Sequence, residues 1–267
     1  MTARNIITVV VTYYNKGRLL HDALESLYLQ TYNEFEIVVV NDCSDEQESQ
    51  SIWNEMKGSE KYKNKLSLYE LDKNYGASYA KNFGVRKASG DIIALLDADD
   101  VLPPTAIEDI LRSFQKYSNA SVLFGNYSHN RKTIDCSVIC TQNKSEIHIP
   151  TLLNNWKLLG TSPFKKKAFE EIGGFNILYP KIDDTDFHMR LLLGGYVFKY
   201  IEKNIYTWND VEDSNGKSVN RSDSAKLFFR NIDIFIHYFP ISKFLIKFLK
   251  NGLIVIIEKI FYKKIKN

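Results

Sequence analysis

Short runs of β-branched and aliphatic residues alternate with segments of helical period through the first half of the chain. Ile6 to Val11 is an apolar run of strand length; Phe35 to Val40 and Leu66 to Leu71 are two more, and Ile92 to Leu96, opened by Asp91, is a fourth. Helical patterns lie between them. Leu20, Ala23, Leu24 and Leu27 recur on one helical face. A polar helix is expected over about Asp45 to Met56, and another over Tyr75 to Ala88, closed by Ser89-Gly90. Pro103-Pro104 starts a fourth, with Ile107, Ile110, Leu111 and Phe114 as its apolar face. Repeated β-α order predicts an α/β domain with a mostly parallel sheet and helices on both faces.

The second half is less regular. Ala120 to Asn126, Thr133 to Thr141 and Val197 to Ile201 read as strands, and Leu152 to Leu159 as a short helix. Phe169 to Phe175 reads as a helix end with a double-glycine turn, and Asp183 to Leu193 as a helix with an acidic start. Asp210 to Ser224 is polar and rich in Ser, and is expected to be a mobile loop. Ile241 to Asn267 mixes aliphatic and Phe residues with lysines, the pattern of an amphipathic helical tail.

Composition narrows this only a little. At 267 residues, 44% hydrophobic and 25% charged, the chain can bury a large core. Three cysteines make no disulfide framework and suggest a reducing compartment. Cys136 and Cys140 lack a second pair with metal-ligand spacing, so two ordinary thiols are expected. No signal-peptide pattern opens the chain, and no apolar run approaches the ~18 residues of a membrane span. The net charge of +3 hides an asymmetry: residues 241–267 carry seven lysines against Glu258, while the rest is mildly acidic. A basic amphipathic tail fits an anionic membrane surface, or a helix packed on the domain with a solvated basic face. Nucleic acid is a poor fit, because the basic stretch is apolar and the body acidic.

The chemistry concentrates in G-D-I-I-A-L-L-D-A-D-D-V (Gly90 to Val101). A buried strand ends in Asp97, Asp99 and Asp100, and carboxylates crowded in this way repel one another. A divalent cation removes that penalty and leaves coordination positions for substrate phosphates; a solvated Asp-rich turn is the other reading. Asn15, Asp42, Asn74 and Asp97 all fall just past expected strand ends, where ligands of open parallel sheets bind.

Taken in order, several pieces resemble the inverting glycosyltransferases of family 2, with the GT-A fold. They are V-V-V-T-Y-Y-N (Val9 to Asn15), V-V-V-N-D-C-S-D (Val38 to Asp45), N-Y-G-A-S-Y-A-K-N-F-G (Asn74 to Gly84), L-L-D-A-D-D, I-G-G-F (Ile172 to Phe175) and D-D-T-D-F-H-M-R-L (Asp183 to Leu191). The resemblance spans about residues 5 to 205. It implies a catalytic domain over 1–210, with a nucleotide-binding half to about 100 and an acceptor-binding half from about 101. The loop and basic helical tail, 211–267, follow. It implies nucleotide contacts from Thr12, Tyr13, Asn15, Asp42, Asn74, Gly76, Lys81, Asp97 and Ala98, with Tyr13 along the uracil or ribose. Asp99, supported by Asp97, would bind Mn²⁺ or Mg²⁺. Gly173, Gly174, Phe175 and Asp183 would face the acceptor, and Asp184 would be the catalytic base. Asp183 departs from the family's usual Glu. The family's late third metal ligand, often His, is absent from Thr207 to Asp210, so the metal would rest on Asp99 with phosphates and water, or Asp210 would contribute; His188 and His237 are poor substitutes.

The implied activity is inverting transfer of a hexose from a nucleotide-sugar, UDP favoured, to a glycan or lipid-linked saccharide. Synthesis of an O-antigen or capsule type of surface polysaccharide is the implied setting. The protein would be cytoplasmic and peripheral at the inner face of the membrane. Two rivals stand beside this. D-A-D-D-V also fits the Asp-x-Asp of haloacid-dehalogenase-type phosphohydrolases, with Asp97 as nucleophile and Asp99 as general acid, although that motif normally opens its domain. The other is a non-catalytic nucleotide-sugar- or glycan-binding module of the same fold. An oxidoreductase is disfavoured, since no Gly-x-Gly-x-x-Gly follows the first strand.

Overall fold

The computed structural model describes residues 6–59, 65–129, 132–140, 146–148, 152, 158, 160–178 and 182–209. The expected helix at 152–159, the loop from 210, the tail at 241–267, Asp210 and His237 lie wholly or mostly outside the described residues.

The first half folds as the hydrophobic pattern predicts. Strands β1 (Ile7–Tyr13), β2 (Glu36–Asn41), β3 (Leu66–Glu70) and β4 (Ile92–Asp97) alternate with α1 (Leu19–Tyr28), α2 (Gln47–Gly58) and α3 (Ala77–Lys87). Helix α4 (Ala106–Lys116) follows, its start tightened by an Ala106 N–H bond to the Pro103 carbonyl. The four strands pair in parallel in the order β3-β2-β1-β4. Val9, Val11 and Tyr13 pack on one face against α1, α2 and α4. Val10, Val38, Val40, Ile93 and Leu95 pack on the other, against residues of α3 and the second half. Covering both faces is why these strands read as continuous apolar runs rather than alternating ones.

The second half extends the sheet with mixed polarity. Strand β5 (Val122–His129) pairs antiparallel with β6 (Lys132–Ile134) and β7 (Phe164–Lys165), and parallel with β8 (Phe198–Trp208). Helices α5 (Lys166–Ile172) and α6 (Asp183–Leu193) complete it. Two expectations need correction. The strand expected at Thr133 to Thr141 stops at Ile134, and a 3-10 turn follows at Cys136–Ile139. Asp135 accepts the Ser137 N–H and Asn126 accepts the Cys136 N–H, which turns the chain out of the sheet. The last strand, expected at Val197 to Ile201, runs eleven residues to Trp208 because β5 gives it a partner throughout, across register shifts near Asn126.

Candidate active site

The site is built where β1, β2 and β4 end. Parallel pairing sets Thr12 beside Asp97 and Tyr13 beside Asn41, so the polar residues after each strand emerge together. Thr12 donates to Asp97 Oδ1 at 3.0 Å, and its carbonyl accepts the Ala98 N–H at 3.1 Å. Ala98 is therefore a buried hinge of the Asp97–Asp100 turn rather than a contact surface for nucleotide. The Asp100 N–H closes the turn on the Asp97 carbonyl at 3.0 Å.

Asp42 is nearly buried and receives the Tyr75 and Gly76 N–H groups at 2.8 and 2.7 Å. Burial raises its pKa and those two donors hold it partly down. Gly76, at φ 89°, also donates to Asn74 Oδ1 at 3.0 Å. Asp42 thus ties the loop before α3 to the end of β2. Asn15, at φ 47°, accepts the Asp45 and Glu46 N–H groups and fixes the loop after β1 to the start of α2.

Lys81, on the buried face of α3, sits 3.4 Å from Asp183 at the start of α6. Burial works to lower the Lys81 pKa, but Asp183, Asp97 and Asp184 outweigh it and hold the ammonium charged above its ordinary range. One lysine therefore lies in the field of three site carboxylates from two halves of the chain. Burial raises Asp183 and Lys81 opposes it. In this structure Asp183 is paired with Lys81.

Asp184 is half-buried, and its Oδ1 accepts its neighbour's N–H, from Thr185, at 2.6 Å. Its other oxygen lies against Gly160, where a Cβ would collide with it. The side chain is thereby held at the rim, where a proton acceptor is useful.

Asp100 carries a different burden. Its carboxyl is buried and receives the Tyr206 hydroxyl at 2.7 Å and the Asn209 N–H at 2.8 Å. Burial, then Asp97, push its pKa up to about 8 against those two donors. Tyr206 also accepts the Asp97 N–H at 3.3 Å, so β8 braces the acidic turn from beneath.

Asp97 and Asp99 are chemically suited to a divalent cation, since Mg²⁺ uses one or two carboxylates and leaves its other positions to water and phosphate. A cation already faces Asp99: Lys16 Nζ is 2.6 Å from its Oδ2. Among the described residues, no cluster of three His, Cys, Asp or Glu side chains stands ready to hold a metal alone. The donor set fits a two-carboxylate site completed by a diphosphate. His188 adds nothing to it, because burial and then Lys81 depress its pKa to about 3 within an aromatic setting of Phe187 and Phe198.

Further expected contacts are corrected by burial. Tyr13 is 1% exposed, stacks on Trp53 and donates to the Ser49 carbonyl at 3.0 Å; it is a core residue. Its neighbour Tyr14 emerges half-buried, its hydroxyl 3.5 Å from Asp45. Phe175 is buried among Phe164, Phe169 and Phe187. Gly173 and Gly174, at φ 82° and 75°, form the turn that leads to it. Asn82 clamps that turn by bonds to both the N–H and the carbonyl of Phe175, and Arg190 donates to the Ile172 and Gly174 carbonyls. Gly174 is buried in that turn, while Gly173 stays exposed beside it.

Sequence reading missed Tyr14, Lys16, Gly160, Tyr206 and Asn209. Tyr14 lies inside the Val9 to Asn15 segment, and Lys16 is the residue after it. The others carry no local signal, because they act on residues far along the chain.

The parallel sheet order, the acidic turn after β4 and the carboxylates at the start of α6 have the arrangement of the GT-A fold. The sequence model of glycosyl transferase family 2 matches residues 8–185, and the chain belongs to that family. It is 32% identical over 222 residues to glycosyltransferase GlyG of Streptococcus pneumoniae serotype 4, covering 76% of this chain and 70% of that protein. It is 26% identical over 247 residues to the poly(ribitol-phosphate) beta-N-acetylglucosaminyltransferase TarP of Staphylococcus aureus strain N315, covering 89% and 74%. The chain spans only 62% and 31% of two further curated relatives, both uncharacterized glycosyltransferases. The fold matches S. aureus TarS residues 1–349 in complex with UDP-GlcNAc at a TM-score of 0.70 and 22% identity, covering 86% of this chain and 66% of that one. The family match removes the phosphohydrolase alternative: Asp97 ends the fourth strand of a glycosyltransferase sheet.

Proposed function

We propose that this protein is an inverting glycosyltransferase. It moves a hexose or N-acetylhexosamine from a UDP-sugar to a hydroxyl of a glycan or lipid-linked saccharide, as in surface-polysaccharide synthesis. The observation that carries the reading is the gathering of Asp97, Asp183 and Asp184 around Lys81 beside the Asp99 turn. The N-acetylglucosaminyl specificity in the name of TarP, and the UDP-GlcNAc held by TarS, support the donor class.

In this reading Asp42 and the loop it holds receive the uracil, with Tyr14 rather than Tyr13 beside the ring. Lys81 neutralises phosphate charge. Asp99, with Asp97, holds Mn²⁺ or Mg²⁺, which when bound offsets charge on the leaving diphosphate. The acceptor oxygen attacks the anomeric carbon as the bond to the diphosphate oxygen breaks. The diphosphate leaves with the electron pair, and the hydroxyl proton passes to Asp184. A single displacement inverts the configuration and needs one carboxylate base. Contact of residues 241–267 with anionic lipid would bring a lipid-linked acceptor within reach. Among the described residues no helix is long and apolar enough to cross a membrane.

The test is release of UDP from a panel of UDP-sugars with Mn²⁺ or Mg²⁺, alongside UDP calorimetry. Turnover lost in Asp184→Asn with UDP binding retained supports the reading. UDP binding without turnover on any donor or acceptor would instead favour a non-catalytic sugar-nucleotide-binding module.

A further inference from the structure

Lys16 is held in its position by the backbone on either side of it. Asn15 and Gly17 flank it at φ 47° and 48°, a left-handed conformation that Asn and Gly adopt at least cost. Asn15 accepts the Asp45 and Glu46 N–H groups at 3.0 and 3.2 Å, and its own N–H donates to Ser44 Oγ at 3.1 Å. The Gly17 N–H donates to Ser49 Oγ at 2.9 Å, and a side chain at Gly17 would run into Glu48. The turn is pinned to the α2 region on both sides of Lys16. The ammonium therefore reaches Asp99 at 2.6 Å, with only 22% and 12% of the two side chains exposed. Asn209 holds the far side of that turn by donating to the Asp99 carbonyl at 3.0 Å.

We propose that Lys16 is an internal counter-ion of Asp99 which a divalent cation must displace, and that a bound diphosphate permits the exchange by offering the ammonium a second anion. The proposal rests on the nucleotide-sugar reading above. An ammonium and a divalent cation repel one another at a shared carboxylate. Without nucleotide, a metal at Asp99 leaves the Lys16 charge close by and unpaired. With a diphosphate present, Lys16 moves onto phosphate oxygens and leaves Asp99 free, so that Asp99 would hold the metal. Metal and nucleotide then each raise the other's affinity by the same factor. The exchange would guard an acidic turn against repulsion in the empty enzyme and keep metal from loading before the donor.

Mn²⁺ binding to the full chain, read by electron paramagnetic resonance of the free ion with and without UDP, tests this. Lys16→Met is expected to bind Mn²⁺ about tenfold more tightly than wild type in the absence of UDP, and to gain less when UDP is added. Lys16→Arg, which keeps the charge, is expected to stay near wild type. Asp99→Asn is expected to lose the site in every background. Equal or weaker nucleotide-free binding by Lys16→Met with an unchanged melting curve overturns the proposal, as does Lys16→Arg behaving like Lys16→Met. UDP binding by the wild type, measured separately by calorimetry, isolates the underlying reading. Its absence sinks the nucleotide assignment, while the nucleotide-free Mn²⁺ comparison still decides the exchange at Asp99.

Discussion

The Tyr206 hydroxyl donates to Asp100 at 2.7 Å and accepts the Asp97 N–H at 3.3 Å, so a residue from the last described strand supports the acidic turn of the fourth. This places a raised carboxyl, at about 8, under the turn that carries Asp97 and Asp99. The folded state holds the Asp100 proton more tightly than the unfolded chain. Its contribution to stability is full below about pH 4 and is lost as pH rises towards 8. In metal-free protein, melting temperature is therefore expected to fall between pH 5 and 8, and Asp100→Asn to flatten that slope by several degrees, roughly. Differential scanning calorimetry across the range decides it; a slope unchanged in Asp100→Asn would remove Asp100 as its source.

Lys81 and Asp183 are expected to stand or fall together. Lys81→Met leaves Asp183 buried without its cation, a loss of roughly 3–5 kcal/mol. Lys81→Met combined with Asp183→Asn should recover much of it, because the buried Asp183 charge that lost its cation is then removed as well. Urea unfolding of the two single variants and the double variant measures the coupling. Simple additivity of the single effects would contradict the pairing.

Gly160→Ala is expected to act on catalysis through Asp184. A Cβ there meets the Asp184 carboxylate, so that side chain must shift. A misplacement near 1 Å costs about a hundredfold in rate. The expected pattern is a large fall in kcat with UDP affinity retained, read from steady-state kinetics and calorimetry. A fall in UDP affinity alone would mean that Asp184 does not act at the reacting centre.

The tyrosine pair separates core from site. Tyr13→Ala empties a buried volume against Trp53 and should cost roughly 3–5 kcal/mol. Tyr14→Ala should leave the melting temperature within a few degrees, roughly, and weaken UDP binding about tenfold. Thermal melting together with UDP titration reads both; the reverse assignment would show the effects exchanged.

Much of the frame was legible in one dimension. Runs such as Ile92 to Leu96 are strands because no helix of that length could bury so continuous an apolar stretch between Asp91 and an acidic turn. The spacing of Leu20, Ala23, Leu24 and Leu27 made a helix face that the structure buries. The placement of Asp42, Asn74 and Asp97 just after strands put them at one sheet end, since parallel strands all end on the same side. The tyrosine error has a physical cause. Both faces of β1 are covered, so strand alternation says that Tyr13 and Tyr14 point oppositely without saying which one meets the core.

The sequence by itself determined the parallel β-α frame, the acidic turn and the family to which the chain belongs, because these depend on local period and on short ordered motifs. The tertiary structure decided which charges meet. Lys16 with Asp99, Lys81 with Asp183 and Tyr206 with Asp100 join positions 83, 102 and 106 residues apart. No local pattern encodes such pairings, since ion pairs and buried hydrogen bonds depend on distance in space after the sheet has closed. The same holds for Phe175, which looked like an acceptor surface until packing against Phe164, Phe169 and Phe187 made it core.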